Sequence, residues 1–101
     1  MQLGVIGTNF QLSSLEFRES LRIPDADQAT WLQTMIKKAA IAECVCLNTC
    51  NRIELYIAAP DIETSLDRVN TLWSTQPLHR LTQQASVHHL FSVASGLASL
   101  V

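Results

Sequence analysis

Residues 44–58 read CVCLNTCNRIELYIA. The first five are apolar and β-prone. From Arg52 onward the run alternates: Ile53, Leu55 and Ile57 fall on one face, and Arg52, Glu54 and Tyr56 on the other. Only Thr49, Cys50 and Asn51 separate the two runs, and so short a link predicts an antiparallel hairpin. That reading puts Cys50 at the mouth of the hairpin. Cys44 and Cys46, which share parity, fall in mid-strand.

Working outward, Leu3, Val5 and Ile6 predict a first strand ending at Gly7. Residues 8–24 are mixed, and Glu16, Arg18, Glu19 and Arg22 suggest a polar loop or a short helical turn before Pro24. Asp25 with Gln28 is a capping-box pattern. Trp31, Leu32, Met35, Ile36, Ala39 and Ala40 then recur at helical spacing, which predicts a helix over about 26–41. Pro60 and Asp61 open a second helix carrying Ile62, Leu66, Val69 and Trp73. Residues 78–82 (LHRLT) predict a last short strand. From about residue 83, Val87, Leu90, Phe91, Ala94 and Leu97 form a third apolar stripe.

The order β-α-β-β-α-β, followed by a C-terminal helix, describes an α+β, ferredoxin-like split βαβ sandwich. Its helices are expected to cover the Ile53/Leu55/Ile57 face of a mainly antiparallel sheet. Trp31 and Trp73 lie on apolar helix faces and are expected in the core. The last helix meets Leu100 and Val101 with no cap or stop signal, so residues 1–101 are expected to be a single domain truncated from a longer chain.

Composition narrows the function classes. The chain has 101 residues, 48 % of them apolar and 16 % charged, which is too apolar for a disordered segment. No apolar run is long enough to span a membrane, and the start MQLGVIGTNF lacks the basic region of a signal peptide. A cytoplasmic protein without membrane contact is expected. The net charge of −2 leaves no strongly basic nucleic-acid footprint.

Three cysteines lie within seven residues, an odd and clustered count that makes a poor disulfide framework. The C-x-C-x3-C spacing lacks a zinc knuckle, and no nearby His adds a fourth ligand, so no metal is expected. Reduced thiols fit a reducing compartment. Cys50, at an element junction two residues from Arg52, is a candidate nucleophile whose thiolate that guanidinium could favour. Exposed N–H groups of the turn could serve a nearby oxyanion. The competing reading is a small buried hydrophobe.

Arg52 could clamp a carboxylate with its planar fork, or sit solvated beside Glu54 or Glu16. Thr49 and Asn51 could grip a substrate, or merely make the turn. On the last helix, His89 flanks the apolar stripe with Ser92, Gly96 and Ser99 on its side, a shallow groove on an otherwise bulky helix. From the pattern alone, a half-exposed histidine beside a tight helix contact is the preferred reading. His88 and His79 are expected in solvent.

Three stretches together resemble one family. NTCNRIELY at 48–56 resembles the T-C-N-R-x-E-x-Y signature of glutamyl-tRNA reductase. VHHLFSVASGLASL at 87–100 resembles its H-L-F-x-V-A-x-G-L-D-S segment. GVIGTNF followed by LEFRES is similar to its G-x-N-H … R-E opening. The resemblance spans essentially the whole chain and implies an N-terminal catalytic domain with a ferredoxin-like core.

It implies that Cys50 is the nucleophile attacking the α-carbonyl of glutamate esterified to tRNA, leaving a glutamyl thioester. NADPH, bound by a domain absent from this chain, would then release glutamate-1-semialdehyde, the first step of tetrapyrrole and haem biosynthesis by the C5 route. The resemblance also makes Thr49, Asn51, Arg52 and Ser99 substrate-holding residues and His89 a histidine important for activity. Implied partners are glutamyl-tRNA(Glu), a second copy in a full-length homodimer, and handover to glutamate-1-semialdehyde aminomutase. Phe10 departs from the family's His, Leu12, Ser13 and Ser14 replace its Thr-Ala-Pro, and Ala98 replaces the Asp of G-L-D-S. These departures leave open a non-catalytic binding or regulatory module built on the same domain. A redox sensor in which Cys44 or Cys46 resolves an oxidised Cys50 is a third reading.

Overall fold

The architecture comes from a computed structural model that describes residues 1–94. Ser99, Gly96 and Ala98 lie outside the described residues. The elements are β1 (Gln2–Asn9), α1 (Leu15–Leu21), a 3-10 turn (Asp25–Asp27) leading into α2 (Gln28–Lys38), β2 (Glu43–Asn48), β3 (Arg52–Ala59), α3 (Ile62–Trp73), β4 (His79–Thr82) and α4 (Gln83–Ala94). The four strands form one sheet in the order β2-β3-β1-β4, and each neighbouring pair is antiparallel. This is the split βαβ arrangement expected from the sequence, in which β3 lies between β2 and β1.

Two elements differ from the expectation. Residues 15–21 form a true helix, capped by the Ser14 side chain, which accepts from the Phe17 N–H at 3.1 Å. Its two turns are too short to show a period, which is why the sequence reads there as mixed. The second helix is shorter than residues 26–41. Asp25 does not box-cap it, because residues 25–27 take the tighter 3-10 geometry and the helix proper starts at Gln28. It ends in a Schellman-type turn: the Ile41 N–H donates to the Ile36 carbonyl at 3.1 Å, and Ala40 takes the left-handed conformation with φ of 55°.

One sheet face carries the core. Ile6, Ile53, Leu55 and Ile57 pack under Met35, Ile62, Leu66 and Val69 from α2 and α3. Trp31 and Trp73 meet edge to face at 5.1 Å, and the Trp73 indole N–H donates to the Leu21 carbonyl, so both tryptophans join this layer as expected. Cys44 and Cys46 pair with Ile57 and Leu55, and so share this face.

The helices α2 and α3 cover the Ile53/Leu55/Ile57 face as expected, and the C-terminal helix, whose side the sequence left open, lies on the other face. Gln83 takes a φ of 54° directly after β4, and the chain turns back to lay α4 against β1 and β4. Arg52 and Glu54 on the second face are fully buried in consequence.

Gly7 in β1 sits opposite Glu54 on that second face. It has φ of 156°, and a Cβ there would fall 2.0 Å from the Ile53 carbonyl oxygen and 2.8 Å from the Glu54 Cα. Backbone cannot yield as a side-chain tip can. Gly7→Ala is expected to lower stability by about 3 kcal/mol, read as a fall in the urea midpoint.

Candidate functional site

Cys50 and Asn51 form the tip of the β2–β3 hairpin. Two-residue tips usually rely on positive φ values that Gly or Asn supply, and neither residue adopts one. Thr49 closes the turn in another way. Its N–H donates to the Arg52 carbonyl at 2.9 Å, and its hydroxyl accepts from the Arg52 N–H at 3.1 Å. Two contacts fix the tip from behind: Arg18 Nε donates to the Cys50 carbonyl at 2.9 Å, and the Phe10 N–H donates to the Asn51 carbonyl at 2.8 Å. The Cys50 side chain is exposed, so the reading of it as a buried hydrophobe fails.

One strand position further on, β3 enters a buried polar cluster. Glu54 Oε2 accepts from Arg52 Nη1 at 3.1 Å and from His89 Nε2 at 2.8 Å, while Oε1 accepts from the Tyr56 hydroxyl at 2.8 Å. A carboxylate only accepts, so the proton of the His89 ring lies on Nε2. The 3.4 Å approach of Arg52 Nη1 to His89 Nε2 follows from two donors sharing one oxygen. In the neutral ring Nδ1 is then the nitrogen with a free lone pair. The Tyr56 and His89 rings stack at 6.4 Å.

Arg52 has no exposed surface, which overturns its reading as a solvated strand residue. Its Nε has no hydrogen-bond partner among the described residues. The guanidinium serves Glu54, so the idea that it acts on the Cys50 sulfur is not what its contacts favour. Burial first, then the hydrogen bond and charge of Glu54, push the Tyr56 hydroxyl well above its ordinary range, and Arg52 opposes them. Tyr56 is therefore a fixed donor to Glu54.

The face that α4 turns to the sheet also differs from expectation. Ser86 and Val93 are buried and His89 is half-buried, whereas Leu90 is 46 % and Phe91 70 % exposed. The helix turns a mixed face, Ser86, His89 and Val93, to a sheet that presents Arg52, Glu54 and Tyr56. His88 and His79 are exposed, as expected. His89 thus approaches the first residues of β3, at the sheet end from which the Cys50 turn projects. Ser99, the remaining candidate, lies outside the described residues.

The other thiols are held neutral. Burial raises Cys44 above its ordinary value, and burial followed by the charge of Cys44 pushes Cys46 up to about 11. A thiolate fraction on the order of one in ten thousand at pH 7 makes Cys46 a poor resolving thiol, which argues against a redox pair. A group whose folded value is raised favours folding below its unfolded value, and that contribution disappears as pH climbs through the folded value. Stability is therefore expected to fall between pH 9 and about 11 partly through Cys46. Cys46→Val should flatten that segment of the melting-temperature profile.

Glu54, Tyr56 and Arg18 were not among the residues singled out from sequence. The alternation Arg52, Glu54, Tyr56 next to a histidine-bearing helix was the available signal. Periodicity gave no sign of Arg18, whose contact with Cys50 spans 32 positions; the R-E resemblance in LEFRES was its one signal.

The usual dinucleotide-binding turn is not found among the described residues. Every strand pair among the described residues is antiparallel, two of the three glycines are inside β1, and no Gly-x-Gly-x-x-Gly turn leads from a strand into a helix. No helix among the described residues is long and apolar enough to cross a membrane.

Fold and site together define a class: an α+β sandwich domain with a cysteine at an exposed hairpin tip and a buried carboxylate–guanidinium–imidazole cluster behind it. A model of the family described as "Glutamyl-tRNAGlu reductase, N-terminal domain" matches residues 6–101. The chain is 37 % identical to the glutamyl-tRNA reductase of Thermosynechococcus vestitus and 34 % identical to that of Carboxydothermus hydrogenoformans, over the whole of this chain in both cases. It spans 26 % and 25 % of those two relatives. The solved glutamyl-tRNA reductase from Methanopyrus kandleri superposes with a TM-score of 0.80 over 97 % of this chain and 23 % of its own, at 23 % identity, and shares the fold. The chain belongs to the glutamyl-tRNA reductase N-terminal domain family.

Proposed function

We propose that this domain is the acyl-accepting part of a glutamyl-tRNA reductase. The thiolate of Cys50 attacks the carbonyl carbon of glutamate esterified to tRNA. An S–C bond forms and the carbonyl π pair moves to oxygen. Collapse of that adduct expels the ribose oxygen of the tRNA, which takes up a proton, and leaves a glutamyl thioester. Reduction of the thioester to glutamate-1-semialdehyde with NADPH falls to parts outside these residues, since they offer no dinucleotide cradle. In the same reading the longer protein works as a homodimer and passes the semialdehyde to an aminomutase.

The observation that carries this reading is the exposed sulfur on a turn fixed from behind by Arg18 and Phe10. Arg52, whose Nε has no partner among the described residues, is the proposed contact for the side-chain carboxylate of glutamate. Thr49 and Asn51 flank the thiol, and His89 Nδ1 is the nitrogen able to exchange a proton with the departing oxygen. Ser99 remains a proposed substrate contact.

The test is to supply glutamyl-tRNA without NADPH. Loss of charged tRNA with glutamate retained on the protein in a hydroxylamine-labile form is expected. Charged tRNA that persists at its spontaneous rate would refute the reading.

A further inference from the structure

The contact between Arg18 and the Cys50 turn is not explained by the fold alone. Arg18 is 7 % exposed, and its guanidinium serves two backbone carbonyls, those of Cys50 and Ser13. It forms no ion pair with a carboxylate among the described residues. Burying an unpaired cation is expensive, and a neutral side chain could fill the same space at lower cost.

The geometry of one peptide unit supplies a reason. All peptide bonds among the described residues are trans, and in a trans unit the C=O and the following N–H point in opposite directions. Arg18 draws the Cys50 carbonyl inward, so the Asn51 N–H of the same unit points away from α1, toward the open side of the turn. The inward pull of the Phe10 N–H on the next carbonyl holds the Asn51 unit from its other end. No acceptor within the described residues takes the Asn51 N–H.

We propose that Arg18 is a positioning residue that aims the Asn51 N–H at the oxyanion formed when Cys50 attacks an ester carbonyl. The proposal rests on Cys50 being the acylated group. As the S–C bond forms, the carbonyl oxygen gains the π electron pair, and the N–H donates to it. When the pair returns, the alkoxide leaves and is protonated. The positive charge of Arg18, placed behind the same peptide, polarises its carbonyl and makes that N–H a stronger donor.

Two reactions of the same sulfur separate this role from a structural one. Acylation by p-nitrophenyl acetate develops an oxyanion, whereas alkylation by iodoacetamide does not. Arg18→Met is expected to slow acylation of Cys50 about 10- to 100-fold while changing alkylation by less than about 2-fold. Arg18→Lys, which keeps the charge and one donor, should recover part of the loss. If Arg18→Met does not fold, an amide-to-ester replacement at Asn51, which removes the N–H and leaves Arg18 in place, should slow acylation alone. Acylation at the wild-type rate in a folded Arg18→Met or in the ester variant, or acylation and alkylation falling together, would overturn the proposal. Because the probe contains no tRNA, a protein acylated by the nitrophenyl ester but inert to glutamyl-tRNA would contradict the proposed substrate and not the role of Arg18.

Discussion

Glu54→Ala is expected to cost the domain about 3–5 kcal/mol, because it leaves a fully buried guanidinium without its counter-charge. Three donors converge on that carboxylate, from Arg52, Tyr56 and His89. Removing it orphans all three at once, and Arg52 is shielded from water altogether. A small domain has only about 5–15 kcal/mol of stability in total, so the loss is large. Glu54→Gln keeps the shape and one acceptor oxygen but not the charge, and should fall between wild type and Ala. Chemical denaturation of the three proteins checks the order. Equal midpoints for wild type and Glu54→Ala would mean that the cluster is not the buried hub described above.

The second large effect is chemical. Cys50→Ser should slow transfer of glutamate from tRNA by about 10³-fold or more, since a serine hydroxyl with no base fixed beside it is a far weaker nucleophile than a thiolate. The same substitution should leave stability within about 0.5 kcal/mol, because the side chain is exposed. The pairing of these outcomes matters: a residue needed only for folding would show the reverse. Single-turnover discharge of glutamyl-tRNA, run beside a thermal melt, reads both.

The hairpin, its register and the core face were legible in residues 44–58 because a period of two is a strong signal and a three-residue link leaves one topology. The position of Cys50 outside the strands followed from the same stretch. The second sheet face was not legible. Arg52, Glu54 and Tyr56 read as a solvated face until α4 is placed over them, and the apolar stripe of that helix pointed to the wrong side. A helix is expected to bury its apolar face, but over a polar strand face the favourable choice is His89, which meets the Glu54 carboxylate and leaves Leu90 and Phe91 outside. Local pattern cannot show this, because it depends on what another element presents. The motif resemblance did locate Cys50, Arg52 and His89, and the structure brings Arg52 and His89 together on Glu54.

The central claim is that glutamate becomes covalently attached to the sulfur of Cys50. It is tested most directly by mixing the protein with glutamyl-tRNA in the absence of reductant, quenching in acid, and mapping the peptides by mass spectrometry. The account predicts one glutamyl increment on the peptide containing Cys50, lost on treatment with hydroxylamine and absent in Cys50→Ser. Discharged tRNA with an unmodified Cys50 peptide, or the increment on Cys44 or Cys46, would contradict it.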